Sequence, residues 1–160
     1  MIYGEGNNRE SVKIKRISIP IQDDAGIANY ARYYLPELPE INKGKVVGIQ
    51  SHFTIGLAGQ PEYVSVPVIN WNNQPGFNFP TVSGKNMTLN LVNNEDILII
   101  ENFPLLQLTG YTNTVNNNKQ KIIPFDIKIN SKKSYIYYFS LTPPSSTTTF
   151  YINLTFFYVE

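Results

Sequence analysis

Apolar and polar residues alternate one by one over long stretches of this chain, most clearly at its C-terminal end. Between residues 147 and 160, aromatic and β-branched side chains occupy both parities, and no Gly or Pro interrupts the run. Successive side chains of a strand point to opposite faces of its sheet, so this pattern predicts one long β-strand. We expect its core-facing set to be Phe150, Ile152, Leu154 and Phe156.

Shorter runs with the same period precede this strand, and turn residues separate them at a spacing of roughly 8 to 12 positions. The runs lie at 11–22, 45–57, 62–70, 86–92, 96–101, 121–130 and 133–141. About eight or nine such strands predict an all-β fold, an antiparallel β-sandwich of the single jelly-roll type. An immunoglobulin-like sandwich of seven strands is the alternative. The predicted core also contains Ile49, Phe53, Ile55, Phe125, Ile127 and Phe139.

One segment has a helical rather than an alternating pattern. Ile27, Tyr30, Ala31 and Tyr34 fall at positions i, i+3, i+4 and i+7, and Pro36 follows them. This spacing predicts one short helix near residues 25–35.

Length and charge indicate one domain without a strong electrostatic field. A length of 160 residues predicts a single β-sandwich domain at 11–160, and the polar sequence at 1–10, with Gly4 and Gly6, predicts a flexible N-terminal segment. The net charge of +1 makes a nucleic-acid partner unexpected. The basic cluster Arg9, Lys13, Lys15 and Arg16 is interpreted as a solvated edge strand; contact with packaged nucleic acid is the alternative. The sequence has no signal-peptide pattern and no apolar run of membrane-spanning length, which predicts synthesis in the cytoplasm and no membrane insertion.

The residues that usually carry catalysis or bind metals are sparse. The chain has no Cys and one His, His52, so we expect no enzyme activity, no cofactor and no metal site. The segment 93–96 offers oxygen donors for calcium, but it lacks the ligand spacing of a calcium-binding loop. Asn and acidic residues are typical of turns, so a turn is the preferred interpretation.

Two strands carry apolar residues on both faces, although a sandwich strand normally exposes a polar face. The outward set predicts a protein–protein interface formed by Ile136, Tyr138, Tyr151, Phe157 and Val159. Coverage of these residues by the chain's own loop 70–85 is the alternative. That loop contains Trp71, Phe77 and Phe79, which together with Tyr111 form a candidate ligand-binding loop for carbohydrate. A receptor- or carbohydrate-binding module, as in a phage fibre or an adhesin, is therefore one of two functional hypotheses.

Three stretches give the chain the style of a small virion protein: 45–49 (KVVGI), 99–105 (IIENFPL) and 151–159 (YINLTFFYV). In overall architecture the chain resembles the single jelly-roll penton, minor capsid and head-decoration proteins of bacteriophages. The resemblance implies a structural protein of the virion that acts through symmetric contacts. It implies a trimer or pentamer of the chain itself, with a larger shell protein as second partner, and it carries over no functional residue.

Overall fold

The computed structural model describes residues 11–23, 29–56, 65–67, 85–108, 122–140 and 148–160. Within these ranges the chain forms nine strands and one short α-helix. The strands are β1 (Lys13–Asp23), β2 (Asn29–Tyr34), β3 (Lys45–Gly56), β4 (Ser65–Pro67), β5 (Lys85–Val92), β6 (Leu98–Pro104), β7 (Ile123–Ile127), β8 (Tyr135–Ser140) and β9 (Thr148–Val159). The helix, α1, is Pro39–Lys43.

The strands form two antiparallel sheets. Sheet A has the order β1-β9-β3, and both β4 and β7 pair with the remaining edge of β3. Sheet B has the order β2-β8-β5-β6. With the three-residue β4 set aside, successive strands alternate between the sheets except at β5–β6, as in two interlocked Greek keys. The predicted antiparallel jelly roll is confirmed.

The core lies between the two sheets, and β9 occupies the centre of sheet A. Strand β9 pairs with β1 on one side and with β3 on the other. Its predicted core-facing residues are all fully buried: Phe150, Ile152, Leu154 and Phe156. From sheet B, Tyr138 packs its ring edge against Phe150 with centroids 5.8 Å apart. The predicted strand and its predicted core-facing set are confirmed.

The prediction of a helix near residues 25–35 is wrong for the part that the structure describes. Residues 29–34 form β2, which pairs with β8 from Asn29 opposite Ser140 to Tyr34 opposite Tyr135. The short helix instead lies at Pro39–Lys43, with Ile41 buried. Tyrosines favour a pleated strand surface on which they can pack against cross-strand aromatic residues. Here that preference outweighed a helical spacing that extended over only two turns.

The predicted faces of β8 are exchanged in the structure. Ile136 and Tyr138 were assigned to the outer surface, but both are fully buried in the core. Tyr135, Tyr137 and Phe139 are half-buried on the outer face instead. Alternation separates two faces but does not say which is the inner one when both are apolar. Ile136 and Tyr138 therefore cannot contact another molecule in the folded chain.

On β9 the predicted parity is right. Tyr151 and Phe157 are half-buried at outward positions, but Val159 of the same set is buried. A role for Tyr151 and Phe157 in an interface stays a prediction.

The other predicted core residues have different outcomes. Ile49 is fully buried, and Phe125 and Ile127 are half-buried and pack against the core. The assignment of Phe139 to the core is wrong, because it lies half-buried on the outer face of sheet B, where it packs on Tyr30. The side chains of Phe53 and Ile55, and the N-terminal segment 1–10, lie outside the described residues. In the part of the chain that is described, no helix has the length and apolar character needed to span a bilayer.

Candidate interaction surfaces

The outer face of sheet A carries a group of aliphatic side chains near the start of β1. We define the aliphatic patch as Val12, Ile14, Ile122 and Phe157. The first three keep 56%, 54% and 44% of their surface exposed, and Phe157 is half-buried. Ile14 lies directly opposite Phe157 in the β1–β9 register, so the two side chains are cross-strand neighbours.

A glycine brings the remaining member into this patch. Gly48 of β3 lies opposite Phe157 in the β3–β9 register, next to a register shift in β3. A Cβ at position 48 would lie 2.8 Å from Cγ2 of Ile122 and 3.5 Å from Cβ of Phe157. The absence of a side chain at Gly48 therefore lets Ile122 and Phe157 lie together over β3.

Two lysines of β1, which alternate with Ile14 and therefore have the opposite parity, form ion pairs with acidic residues. Lys13 contacts Glu160 at 2.9 Å, and Lys15 contacts Glu40 at 2.8 Å. The hydrogen bond to Glu160 raises the pKa of Lys13, and the hydrogen bond from Lys15 lowers the pKa of Glu40. Two residues of the predicted basic cluster therefore belong to ion pairs on the fold itself. Arg16 is exposed, and Arg9 lies outside the described residues.

The outer face of sheet B has a different character. We define the aromatic face as Tyr30, Arg32 and Tyr34 of β2 with Tyr135, Tyr137 and Phe139 of β8. Tyr30 and Tyr34 are 57% and 55% exposed. The ring centroids of Tyr30 and Phe139 lie 4.8 Å apart, and those of Tyr34 and Tyr135 lie 5.5 Å apart.

Arg32 is attached to this aromatic face by two contacts. Its guanidinium carbon lies 4.8 Å from the ring centroid of Tyr135. A hydrogen bond with the Tyr34 side chain, together with the nearby Tyr135, raises the pKa of Arg32 above its usual value. The guanidinium is thus held over β8 while it remains at the surface.

The other half of the sheet B outer face is polar. Thr88 and Asn90 of β5 are more than nine-tenths buried, although they point away from the core. The Thr88 hydroxyl donates to Oδ1 of Asn102 at 3.2 Å, and Oδ1 of Asn90 accepts the backbone N–H of Asn102 at 2.9 Å. Asn102 lies at a β-bulge of β6 and has a φ of 49°, a left-handed conformation that Asn tolerates.

A groove of about 310 Å³ lies where the aromatic and polar halves meet. We call it the sheet B groove. Its lining combines two phenol rings, two amides, one guanidinium, one carboxylate and one aliphatic side chain: Tyr135, Tyr137, Asn90, Asn102, Arg32, Glu101 and Leu98. The two phenol rings can stack on a ring of a ligand, and the amides, the guanidinium and the carboxylate can donate or accept hydrogen bonds.

The segment 93–96, considered for calcium, has the hydrogen bonds of a turn. Oδ1 of Asn93 accepts the backbone N–H groups of Glu95 and Ile97 at 2.9 and 3.0 Å. Asp96 forms an ion pair with Lys133. Among the described residues no group of three metal-binding side chains is found. The turn interpretation fits these contacts.

Other residues singled out in the sequence lie outside this description. Trp71, Phe77, Phe79 and Tyr111 fall outside the described residues, and so does the side chain of His52. The helical spacing at 25–35 concealed Tyr30, Arg32 and Tyr34 as surface residues of a strand. Their positions i, i+2 and i+4 were the signal for one face of a strand.

Comparison with known proteins adds a likeness at the level of structure. No protein-family model matches the sequence, and no curated protein matches it. A solved structure that the fold is similar to is described as the crystal structure of the decameric BFDV capsid protein. The match covers 94% of this chain and 98% of that chain, at 9% sequence identity and a TM-score of 0.33. A likeness of this size carries no argument about function.

Proposed function

We propose that this chain is a structural subunit of a virion, at a capsid vertex, as a minor capsid protein or as a head-decoration protein of a bacteriophage. It acts through symmetric protein–protein contacts and performs no catalysis. The observation that supports this proposal best is the aliphatic patch on the outer face of sheet A. The jelly-roll strand order agrees with it, but that fold also serves lectins and cupins, so the fold alone does not decide.

The chemistry of the aliphatic patch suits association with protein. Val12, Ile14 and Ile122 expose about half of their surfaces and offer no hydrogen-bonding groups to a partner. Full burial of such a side chain is worth roughly 1.5–3 kcal/mol, so burial of the exposed half is worth roughly 1 kcal/mol each. The free energy gained at one contact is modest. A closed ring of subunits repeats the contact around a symmetry axis, and the repeated contacts together stabilise the ring.

We therefore expect the patch to contact a different surface of the next copy, as in a trimer or pentamer. A larger shell protein is the expected second partner.

The test is the sedimentation behaviour of an Ile14→Asp variant over a range of concentrations. Ile14 is 54% exposed, so the variant should fold as the wild type does while it loses association. Ser18→Asp is the matched control, because Ser18 is an exposed residue of β1 with the same parity outside the patch. The wild type and Ser18→Asp should form the same oligomer. A wild type that stays monomeric at every concentration, or an Ile14→Asp variant that assembles normally, would contradict the proposal.

A further inference from the structure

The outer face of sheet B places aromatic and polar side chains in parallel rows. In the strand register, Arg32 lies opposite Tyr137, which lies opposite Thr88. In the next row Tyr34 lies opposite Tyr135, which lies opposite Asn90. Each row therefore runs from β2 and β8, which carry rings and a cation, to β5, which carries hydroxyl and amide groups.

The polar side of the sheet B groove is fixed before any ligand arrives. Nδ2 of Asn90 donates to Oγ1 of Thr88 at 3.4 Å, and the Thr88 hydroxyl donates to Asn102 at 3.2 Å. The Asn102 backbone in turn donates to Oδ1 of Asn90 at 2.9 Å. Because Thr88 and Asn90 are almost wholly buried, this closed set of hydrogen bonds holds the two amides in defined orientations.

The bulge in β6 brings further polar groups to the groove. The register of β6 shifts between Leu89 opposite Phe103 and Leu91 opposite Ile100, and Asn102 takes its left-handed conformation within that interval. Glu101 and Asn102 both line the groove. Bulges of this kind commonly redirect side chains beside binding sites.

The charges of the groove favour an uncharged ligand. Arg32 and Glu101 contribute one charge of each sign to the lining, so neither an anion nor a cation meets a net opposite charge. The guanidinium donates, the carboxylate accepts and the amides do both. A ligand that matches this set carries neighbouring groups that also donate and accept, which is the chemistry of sugar hydroxyls.

The aromatic side supplies a ring surface for such a ligand. The Arg32 guanidinium lies over one Tyr135 face at 4.8 Å from the ring centroid. Tyr137 is the next outward residue of β8, is half-buried, and lines the same groove. The volume of about 310 Å³ lies at the small end of ligand pockets, which suits one or two sugar rings.

From these observations we propose that the sheet B groove binds a neutral saccharide. One sugar ring packs on Tyr137, and its hydroxyls exchange hydrogen bonds with Asn102, Glu101 and Arg32. This site is separate from the aliphatic patch on sheet A, and its function does not depend on assembly.

The test is binding of the full chain to a printed array of neutral, sialylated and sulfated glycans. The neutral glycan with the strongest signal is then titrated by saturation-transfer NMR. Tyr137→Ala should weaken its binding at least tenfold, because the ring surface is removed. Asn102→Gly should also weaken binding at least tenfold, because glycine keeps the left-handed backbone but removes the amide. Tyr30→Ala is the matched control on the same face, since Tyr30 is exposed and does not line the groove.

Three outcomes would overturn this proposal. They are the absence of binding to every neutral glycan, a clear preference for sialylated or sulfated glycans, and wild-type affinity in both Tyr137→Ala and Asn102→Gly. Thermal melting of each variant establishes that it is folded, and Asn102→Gly serves alone if Tyr137→Ala does not fold. The assembly variant Ile14→Asp should bind the glycan as the wild type does. Failure of the assembly proposal therefore leaves this result unaffected.

Discussion

The two outer faces of the sandwich expose side chains to a similar extent but present different chemistry. On sheet A, Ile14 keeps 54% of its surface exposed, and on sheet B, Tyr34 keeps 55%. The aliphatic patch around Ile14 provides area and no directional groups. The sheet B face provides rings next to amides and a hydroxyl that hydrogen bonds hold in place.

This difference shows that exposure alone does not indicate what a surface binds. A patch without directional groups gains free energy only by burial, and it needs a partner that covers a large area. A groove with oriented donors and acceptors can hold a small ligand, because few of its groups must be ordered on binding. We therefore propose a protein contact on one side of the fold and a ligand site on the other.

The largest expected effect is loss of the core that supports both faces. Phe156→Ala should reduce the free energy of unfolding by about 3–5 kcal/mol, because Phe156 is fully buried between the sheets. Tyr30→Ala, which removes a cross-strand ring contact at the surface, should cost no more than about 1 kcal/mol. Urea unfolding of the two variants measures the difference. Equal losses would mean that the outer face of sheet B is packed as a core.

Alanine substitutions at two glycines, Gly44 just before β3 and Gly48 within β3, should affect stability and association differently. A Cβ at Gly44 would lie 2.5 Å from the backbone oxygen of Val159, whereas one at Gly48 would meet the end of the Ile122 side chain at 2.8 Å. Backbone shifts less readily than a side-chain methyl group, so Gly44→Ala should cost about 1–3 kcal/mol and Gly48→Ala less. Gly48→Ala should displace Ile122 and weaken assembly. Unfolding and sedimentation of both variants test this, and an assembled Gly48→Ala oligomer of wild-type stability would argue against a role for Ile122.

The sequence was sufficient for the fold where one face of a strand was clearly apolar. In β9 the inner parity is wholly apolar from Phe150 to Phe156, whereas the opposite parity includes the polar Asn153 and Thr155, so the spacing identified both the strand and its inner face. In β8 both parities are apolar, so the alternation left the choice of face open. The partner strand β2 settles it, since Tyr30 and Tyr34 pack on Phe139 and Tyr135 at the surface.

The groove was less accessible to sequence reasoning because its parts are distant in the chain. Arg32, Tyr137 and Asn102 meet only through the pairing of β2, β8, β5 and β6. The positive φ of Asn102 follows from a bulge, which alternation alone does not reveal. The aliphatic patch depends likewise on Gly48, whose role is visible only once Ile122 lies over it.

A substitution at the bulge should distinguish backbone strain from side-chain contacts on sheet B. Asn102→Ala places alanine, which disfavours the left-handed region, at a φ of 49°. Its free energy of unfolding should be about 1–2 kcal/mol lower than that of Asn102→Gly. Both variants lose the contact with Thr88, so their difference isolates the backbone term. Thermal or urea unfolding measures it. If alanine were as stable as glycine, the left-handed conformation would not be a constraint at this position.

The smallest expected effect concerns the ion pair between Lys15 and Glu40, which joins β1 to α1. The hydrogen bond from Lys15 lowers the pKa of Glu40 below its ordinary value of 4.5. A lowered pKa in the folded state contributes stability above the unfolded value, and that contribution disappears as the pH falls through the folded pKa. Both side chains are partly exposed to solvent, so the contribution is small and salt weakens it. Lys15→Gln should therefore be slightly less stable than the wild type at pH 7, and the difference should shrink as the pH falls below the ordinary Glu value and vanish below the folded pKa of Glu40. Urea midpoints between pH 7 and pH 3 measure this, with Lys132→Gln on the turn before β8 as the control for loss of a positive charge. A difference that persists unchanged at the lowest pH would show that Lys15 stabilises sheet A through its aliphatic stem rather than through Glu40.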